Sequence, residues 1–222
     1  MNYSFNFAVL LPHWEQFAQG CWLTLRLSAV AVAIGMAIGL LAVLGKRSTA
    51  TPLRWVAQCY IEIVRNTPFL VQVLFIFFGL PSLGLSLTPN TAAVAALSLN
   101  LGAFSAEIIR TGIESVPRGQ FEAGAALGLN PLQTFRHIVF KPALRTVYPS
   151  LAGQFVMLLL TTSIVSSISA EELTSVAQNI DSDTFRSFEV YIIAALLYLA
   201  MSTVFSTVFK LIDRFYFSYP TR

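Results

Sequence analysis

Few residues in this chain are of types that could carry chemistry, and most fail on spacing. The segment Gly39-Leu40-Leu41-Ala42-Val43-Leu44-Gly45-Lys46-Arg47 sets two glycines before a lysine, as a phosphate-binding loop does. It has one residue too many between the glycines, lacks Ser or Thr after the lysine, and follows no strand, so nucleotide is not expected there. His13 and His137 have no partner at helical spacing, which argues against a metal cluster or an activated nucleophile. Glu62 with Arg65, and Glu107 with Arg110, are i,i+3 pairs and are expected to form structural ion pairs. What remains are neutral hydrogen-bonding residues in apolar surroundings: Gln72, Asn100, Gln154 and the run Thr161-Thr162-Ser163. Such groups are costly in lipid and, where they face an interior, are candidates for contact with a polar solute. Their plainer uses are a bond back to the helix backbone, or a bond between helices.

The elements that must position these residues follow from composition. Of 222 residues, 55% are hydrophobic and only 11% charged, against roughly 25% charged in a soluble domain. That leaves too little polar surface for a water-soluble core of this size. An all-α polytopic membrane protein is expected, because a helix crosses the roughly 30 Å hydrocarbon core with about 20 apolar residues. Five stretches qualify, at about 22–44, 53–79, 90–112, 146–168 and 188–209, and the whole of 1–222 reads as one membrane domain. The opening residues lack a basic region and a small-residue cleavage site, so no secretory signal is expected. Cys21 and Cys59 lie near opposite ends of the first two stretches and are expected to remain unpaired.

Orientation follows from the cations, since short basic loops stay in the cytoplasm. Lys46, Arg47 and Arg54 fall between the first two spans, and Arg118, Arg136, Lys141 and Arg145 between the third and fourth. Lys210, Arg214 and Arg222 follow the fifth. The other side has Arg186 against Glu171, Glu172, Asp181 and Asp183. The N-terminus is therefore expected outside and the C-terminus inside. On the outer side, Ser169-Ala170-Glu171-Glu172 fits a capping box opening a short surface helix. Arg26 is expected to snorkel at the outer interface.

The long cytoplasmic connection, about 114–142, reads as two short helices joined by a bend. Ser115 is expected to cap the first, with Pro117 in its first turn, and Gly128 to end it. Asn130-Pro131 opens the second, through about Val139. Ala123, Gly124, Ala125 and Ala126 leave the first helix almost without bulk, so another protein's surface can approach its backbone. Glu122 sits near the positive end of the helix dipole and could meet a partner's cation.

This loop carries a resemblance. Glu122-Ala123-Gly124, then Gly128, then Ile138 resembles the EAA loop of ABC-transporter permeases, written E-A-A, three residues, G, nine residues, I-x-L-P. Gly124 replaces the third alanine, and Phe140-Lys141 replaces Leu-Pro, with Pro142 one place late. Glu62 to Gln72 is similar to the E-x-x-R-x-T-P-x-x-x-Q segment of the polar amino-acid uptake branch (the His/Gln/Glu/Arg/opine type). Ala106 to Ile113 resembles its A-E-I-x-R-x-G-I stretch, and Glu172-Leu173 with Thr184 to Phe188 resembles its last external loop.

The resemblance implies a type I importer in the bacterial inner membrane. Two permease chains would stand over two ATP-binding cassette subunits, and a periplasmic binding protein would deliver an amino acid. Glu122, Ala123, Gly124, Gly128 and His137 would then touch the ATPase. ATP and Mg would be bound by the ATPases, with no cofactor, metal or nucleic acid on this chain, which would not itself be an enzyme. Members of the branch often carry Lys then Asp or Asn where Leu160 and Thr161 stand, which leans the pairing toward a related, non-identical permease. The alternatives are an ion-gradient-driven transporter, which lacks support from repeats or buried Asp, and a non-transporting scaffold for an ATPase.

Overall fold

The computed structural model describes residues 4–216; Arg222, counted above among the cytoplasmic cations, lies outside them. A 3-10 turn, Phe7–His13, leads into α1 (Trp14–Lys46). This helix begins eight residues ahead of the expected start, because Glu15 and Gln16 extend it beyond the apolar stretch into polar surroundings. Then follow α2 (Thr51–Arg65), α3 (Phe69–Leu74), a π turn at Phe75–Gly79 and a 3-10 turn at Leu80–Leu83. The rest comprises α4 (Pro89–Glu114), α5 (Arg118–Ala126), α6 (Pro131–Thr134), a π turn at Phe135–Val139, α7 (Phe140–Thr161), a 3-10 turn at Thr162–Ile168, α8 (Leu173–Thr184) and α9 (Ser187–Tyr216).

Among the described residues, four helical runs are long and apolar enough to cross a membrane: Phe7–Lys46, Pro89–Glu114, Pro131–Ile168 and Ser187–Tyr216. The expected second span is not continuous. It breaks after Arg65, and Thr51–Arg65 meets Phe69–Leu83 at 114°. Pro68 has no N–H to continue the ladder, and its ring pushes Thr67 out of the helical region. The bent pair nonetheless runs from one end of α1 and α4 to the other. Ile61 of α2 packs with Ala42, Val43 and Ala106, whereas Val73 of α3 packs with Leu27, Ala31, Ala92 and Ala96.

The parallel pair α1–α4 forms the centre, Leu27 and Ala31 clustering with Ala92 and Ala96 at one end and Ala42 and Val43 with Ala106 at the other. A Cβ on Gly35 would stand 2.9 Å from the Ser98 carbonyl oxygen, and one on Gly39 would stand 3.0 Å from that of Gly102. Small residues four apart let the two backbones meet, which is how membrane helices gain packing when lipid is as apolar as their side chains. Gly39, the first glycine of the apparent phosphate loop, is thus a packing residue.

The second helix of the 114–142 loop does not end near Val139. Pro131–Ile168 is one run, so α6 and α7 are joined without a break. The π turn at Phe135–Val139 widens the helix just ahead of Pro142, whose ring would otherwise crowd the Ile138 carbonyl. The loop's second arm is therefore rigidly continuous with the fourth membrane segment.

Candidate functional site

Two places concentrate the candidate residues, and the first is the helix–bend–helix of α5 and α6. Its entry differs from expectation. Ser115 Oγ donates back to the Gly112 carbonyl at 2.8 Å, and Pro117 is itself the N-cap of α5, with no side-chain cap. The bend and the opening of the second arm match it. Gly128 has φ +73°, a left-handed value that suits glycine. Asn130 Oδ1 accepts from Gln133 N at 2.9 Å while Gln133 Oε1 accepts from Asn130 N at 3.0 Å.

Gly124 does not face outward. It is buried, and a Cβ there would lie 2.5 Å from Thr134 Cγ2 and 2.7 Å from Thr134 Oγ1. Its smallness closes the two arms on each other. Glu122, Ala123 and His137 are exposed. So are two residues that sequence reasoning passed over, Leu127 and Leu132, at 74% and 75%. Two leucines flanking a bend, one of them beside the proline that opens α6, are a readable signal for an apolar knob. The hairpin's root is fixed where Val116, Val139 and Ala143 pack together.

Beside this root lies a charge network. Glu107 pairs with Arg110, Arg110 with Glu114, and Lys46 reaches Glu107 at 3.5 Å, tying α1 to α4. Glu62 and Arg65 do not form the expected pair. Glu62 accepts from Gln58 Nε2 at 2.7 Å, and the Arg65 guanidinium stands 5.6 Å over the Phe104 ring. Both residues lie within α2, so the spacing would allow the pair; Arg65 turns toward α4 instead.

The second place is a cavity of about 340 Å³ between the helix break, α4 and α7. It brings together Asn100, Gln154 and Thr161 with Thr67, and Phe69, Phe104 and Met157 supply apolar walls. Its lining contains no Asp, Glu, Lys or Arg. Gln72 stands just behind. Its Nε2 donates to the Val64 carbonyl at 2.7 Å and to Thr67 Oγ1 at 2.9 Å, capping the broken end of α2. Its Oε1 accepts from Asn100 Nδ2 at 3.2 Å. The amide that holds the break together thus also orients a residue of the lining.

Thr161, Thr162 and Ser163 hydroxyls donate to the carbonyls of Met157, Leu159 and Leu160. Thr162 is fully buried and Ser163 is outside the cavity lining, so of the three only Thr161 contributes to it. Thr67 and the aromatic walls were not singled out from sequence; the Thr67-Pro68 break was the signal for them.

On the far side, the capping box at Ser169 is not formed. Ser169 has φ 60°, and Glu172 is the N-cap of α8, accepting from Ser175 N at 2.7 Å. Glu172 is fully buried, takes the Tyr198 hydroxyl as a second donor, and is pushed above the usual carboxylate range by that burial. Rather than lying on the surface, α8 buries Leu173, Ala177 and Ile180 against Phe17, Val190 and Ala194. Cys21 and Cys59 are both free thiols.

A family model described as a binding-protein-dependent transport system inner membrane component matches residues 31–217. The chain belongs to this family. Among its relatives, this permease is 36% identical over 202 residues to the L-cystine transport system permease protein TcyB of Bacillus subtilis (strain 168), covering 90% of this chain and 86% of that one. It is 35% identical over 212 residues to the glutamine transport system permease protein GlnP of Escherichia coli (strain K12), covering 95% and 97%. A solved amino acid ABC transporter with histidines superposes with a TM-score of 0.90 at 39% identity, covering 96% of this permease and 99% of that chain. The MetNI methionine ABC transporter, at 21% identity and a TM-score of 0.76, shares the fold. The permease is thus a multi-pass membrane protein with the ABC permease fold.

Proposed function

We propose that this permease is the membrane-spanning half of an ATP-driven importer that brings amino acids from periplasm to cytoplasm by alternating access. The observation that carries the reading is the cavity of Asn100, Gln154, Thr161 and Thr67, neutral and hydrogen-bonding, with aromatic walls and at mid-length of the membrane helices. A zwitterionic solute of small net charge suits such a lining better than an ion needing a fixed countercharge. The named relatives serve glutamine and cystine, which agrees with that chemistry.

In this reading the bent pair α2–α3 is the fifth span, since it joins the two ends of the α1–α4 pair. Lys46, Arg47 and Arg54, the hairpin's Arg118 and Arg136, and Lys210 with Arg214 then share the cytoplasmic side, while Glu171, Asp181 and Asp183 lie outside. The N-terminus is periplasmic, the C-terminus cytoplasmic, and residues 1–222 form one membrane domain in the bacterial inner membrane. The exposed knob of Glu122, Ala123, Leu127, Leu132 and His137 docks on one of two ATPase subunits, which bind ATP and Mg. Because α6 runs unbroken into α7, a push on the knob reaches Gln154 and Thr161 without an intervening joint. A second permease, related but not identical, completes the passage, and a periplasmic binding protein loads it.

The test is uptake by proteoliposomes holding the purified complex. Uptake of an amino acid should require internal ATP and external binding protein. Uptake that persists without ATP, or that collapses with an ion gradient, would refute it.

A further inference from the structure

A second groove lies along α7 and α9, across α7 from the cavity. Two depressions of about 300 and 360 Å³ share Val156, Ser206 and Lys210 and so form one channel. On its α9 side stand Ser202, Thr203, Ser206, Thr207, Lys210 and Asp213. These residues recur at three- and four-residue steps, so one arc of the cytoplasmic half of α9 is polar. The opposite arc carries Val204, Phe205, Val208 and Leu211, all exposed. The α7 side is low: Pro149, Ala152 and Gly153 line it, and a Cβ on Gly153 would meet nothing within 4 Å.

Several of these polar groups lack partners. Ser202 and Thr207 return hydrogen bonds to their own helix. Among the described residues, Thr203, Ser206, Lys210 and Asp213 make none with their side chains, and Lys210 and Asp213 do not pair with each other. Hydroxyls, an ammonium and a carboxylate left unpaired on a membrane helix need water or a polar ligand. A phospholipid does not meet that need. Its head group could match Lys210 and Asp213, but its chains would lie on the stripe from Ser206 to Ser202, up to about 12 Å farther into the membrane.

We infer that this groove is a water-filled exit for the substrate, with Lys210 and Asp213 forming a subsite for a zwitterionic amino acid on the cytoplasmic side of the Asn100–Gln154–Thr161 cavity. The Lys210 ammonium takes the α-carboxylate, and the Asp213 carboxylate takes the α-ammonium. Phe209, Val156 and Pro149 offer apolar surface to the side chain. Arg214, one place beyond Asp213 and exposed, adds a cation at the cytoplasmic mouth. The inference rests on the amino-acid reading above.

The test uses the assembled complex in inside-out vesicles, with Cys21→Ser and Cys59→Ser as background. Single variants Thr203→Cys and Ser206→Cys should react with a membrane-impermeant methanethiosulfonate at least about tenfold faster than Val204→Cys and Val208→Cys, which face lipid. A millimolar mixture of the twenty common L-amino acids should slow the reaction at Ser206→Cys several-fold, and Lys210→Gln should remove that protection while leaving the unprotected rate high. Unreactive 203 and 206 positions, or a disulfide through 206 to the neighbouring permease, would overturn the inference in favour of lipid or a subunit seam. Protection that survives Lys210→Gln would overturn the subsite. If the mixture with binding protein stimulates ATP hydrolysis yet protects nothing, the exit subsite fails and the importer reading stands; if it stimulates nothing, both fail.

Discussion

The substitution Gly124→Ala should damage the permease, and Thr134→Ala should repair it. In a methyl-sized space set by Thr134, the added Cβ would sit 2.5 Å from Cγ2 and 2.7 Å from Oγ1. Both approaches are far inside van der Waals contact, so the arms of the hairpin must part or twist. Overpacking of this kind costs about 1–3 kcal/mol. Alanine's better helix propensity returns about 1 kcal/mol, leaving a net loss of up to about 2 kcal/mol. That is up to about a thirty-fold shift in the fraction of loops holding the native shape.

Adding Thr134→Ala removes both close atoms and leaves only Cβ, at 3.1 Å, so the double variant should regain most of the loss. The readout is ATP hydrolysis stimulated by loaded binding protein in proteoliposomes, because a deformed knob uncouples the ATPases without preventing membrane insertion. A fully coupled Gly124→Ala, or a double variant no better than the single, would refute the argument that this glycine exists to fit Thr134. The departure from alanine in the E-A-A pattern is then a local compensation for a threonine ten residues on.

Three further outcomes follow from the same geometry. Gln72→Leu strips the donors from the carbonyls of Val64 and Thr67 and should lower stability by about 2–4 kcal/mol, seen as an earlier thermal inactivation midpoint in detergent. Asn100→Ala and Gln154→Ala should each raise the half-saturation for uptake roughly tenfold, the loss of one hydrogen bond to a polar solute, while the complex still co-purifies with its ATPase. The buried Glu172 carboxyl lies above the usual range, so the folded state holds a proton that the unfolded chain has released; stability should fall as pH rises from about 4 toward neutrality, and Glu172→Gln should flatten that slope in a pH series of thermal midpoints.

Four of the five expected apolar helices were legible because hydrophobic length is set by the bilayer and needs no tertiary information, while the break in the expected second span was not foreseen. The bend of the 114–142 loop was legible for a similar reason, since Gly128 and Asn130-Pro131 act within a few residues of themselves. Faces were harder to read. In α5, with glycines and alanines at many positions, no apolar stripe marks an inner side, so nothing in the sequence separated Gly124 from Ala123 or Ala125. The pairing of Glu62 with Arg65 failed because an i,i+3 rule does not weigh other partners, and here Gln58 takes Glu62 while the Phe104 ring of α4 takes Arg65. Gly35 was not singled out at all, and Gly39 drew notice only through the lysine that follows Gly45, because close approach to a second helix leaves no local mark in the sequence.

The break at Asn66-Thr67-Pro68 also explains why a helix that could have been straight is not. A continuous span would satisfy its own carbonyls and present only side chains to the interior. Interrupting it exposes the last carbonyls of α2, and Gln72 satisfies those of Val64 and Thr67 from across the gap while its Oε1 takes the Asn100 amide. The outcome is a cavity wall whose polar groups are held by a side chain on another element rather than by their own helix. On the role proposed for Asn100, exchanging its Gln72 partner for a solute group would loosen the cap on α2. Substrate arrival and the angle of the broken span would then be coupled through a single amide, and the coupling would be absent from an unbroken helix carrying the same asparagine opposite it.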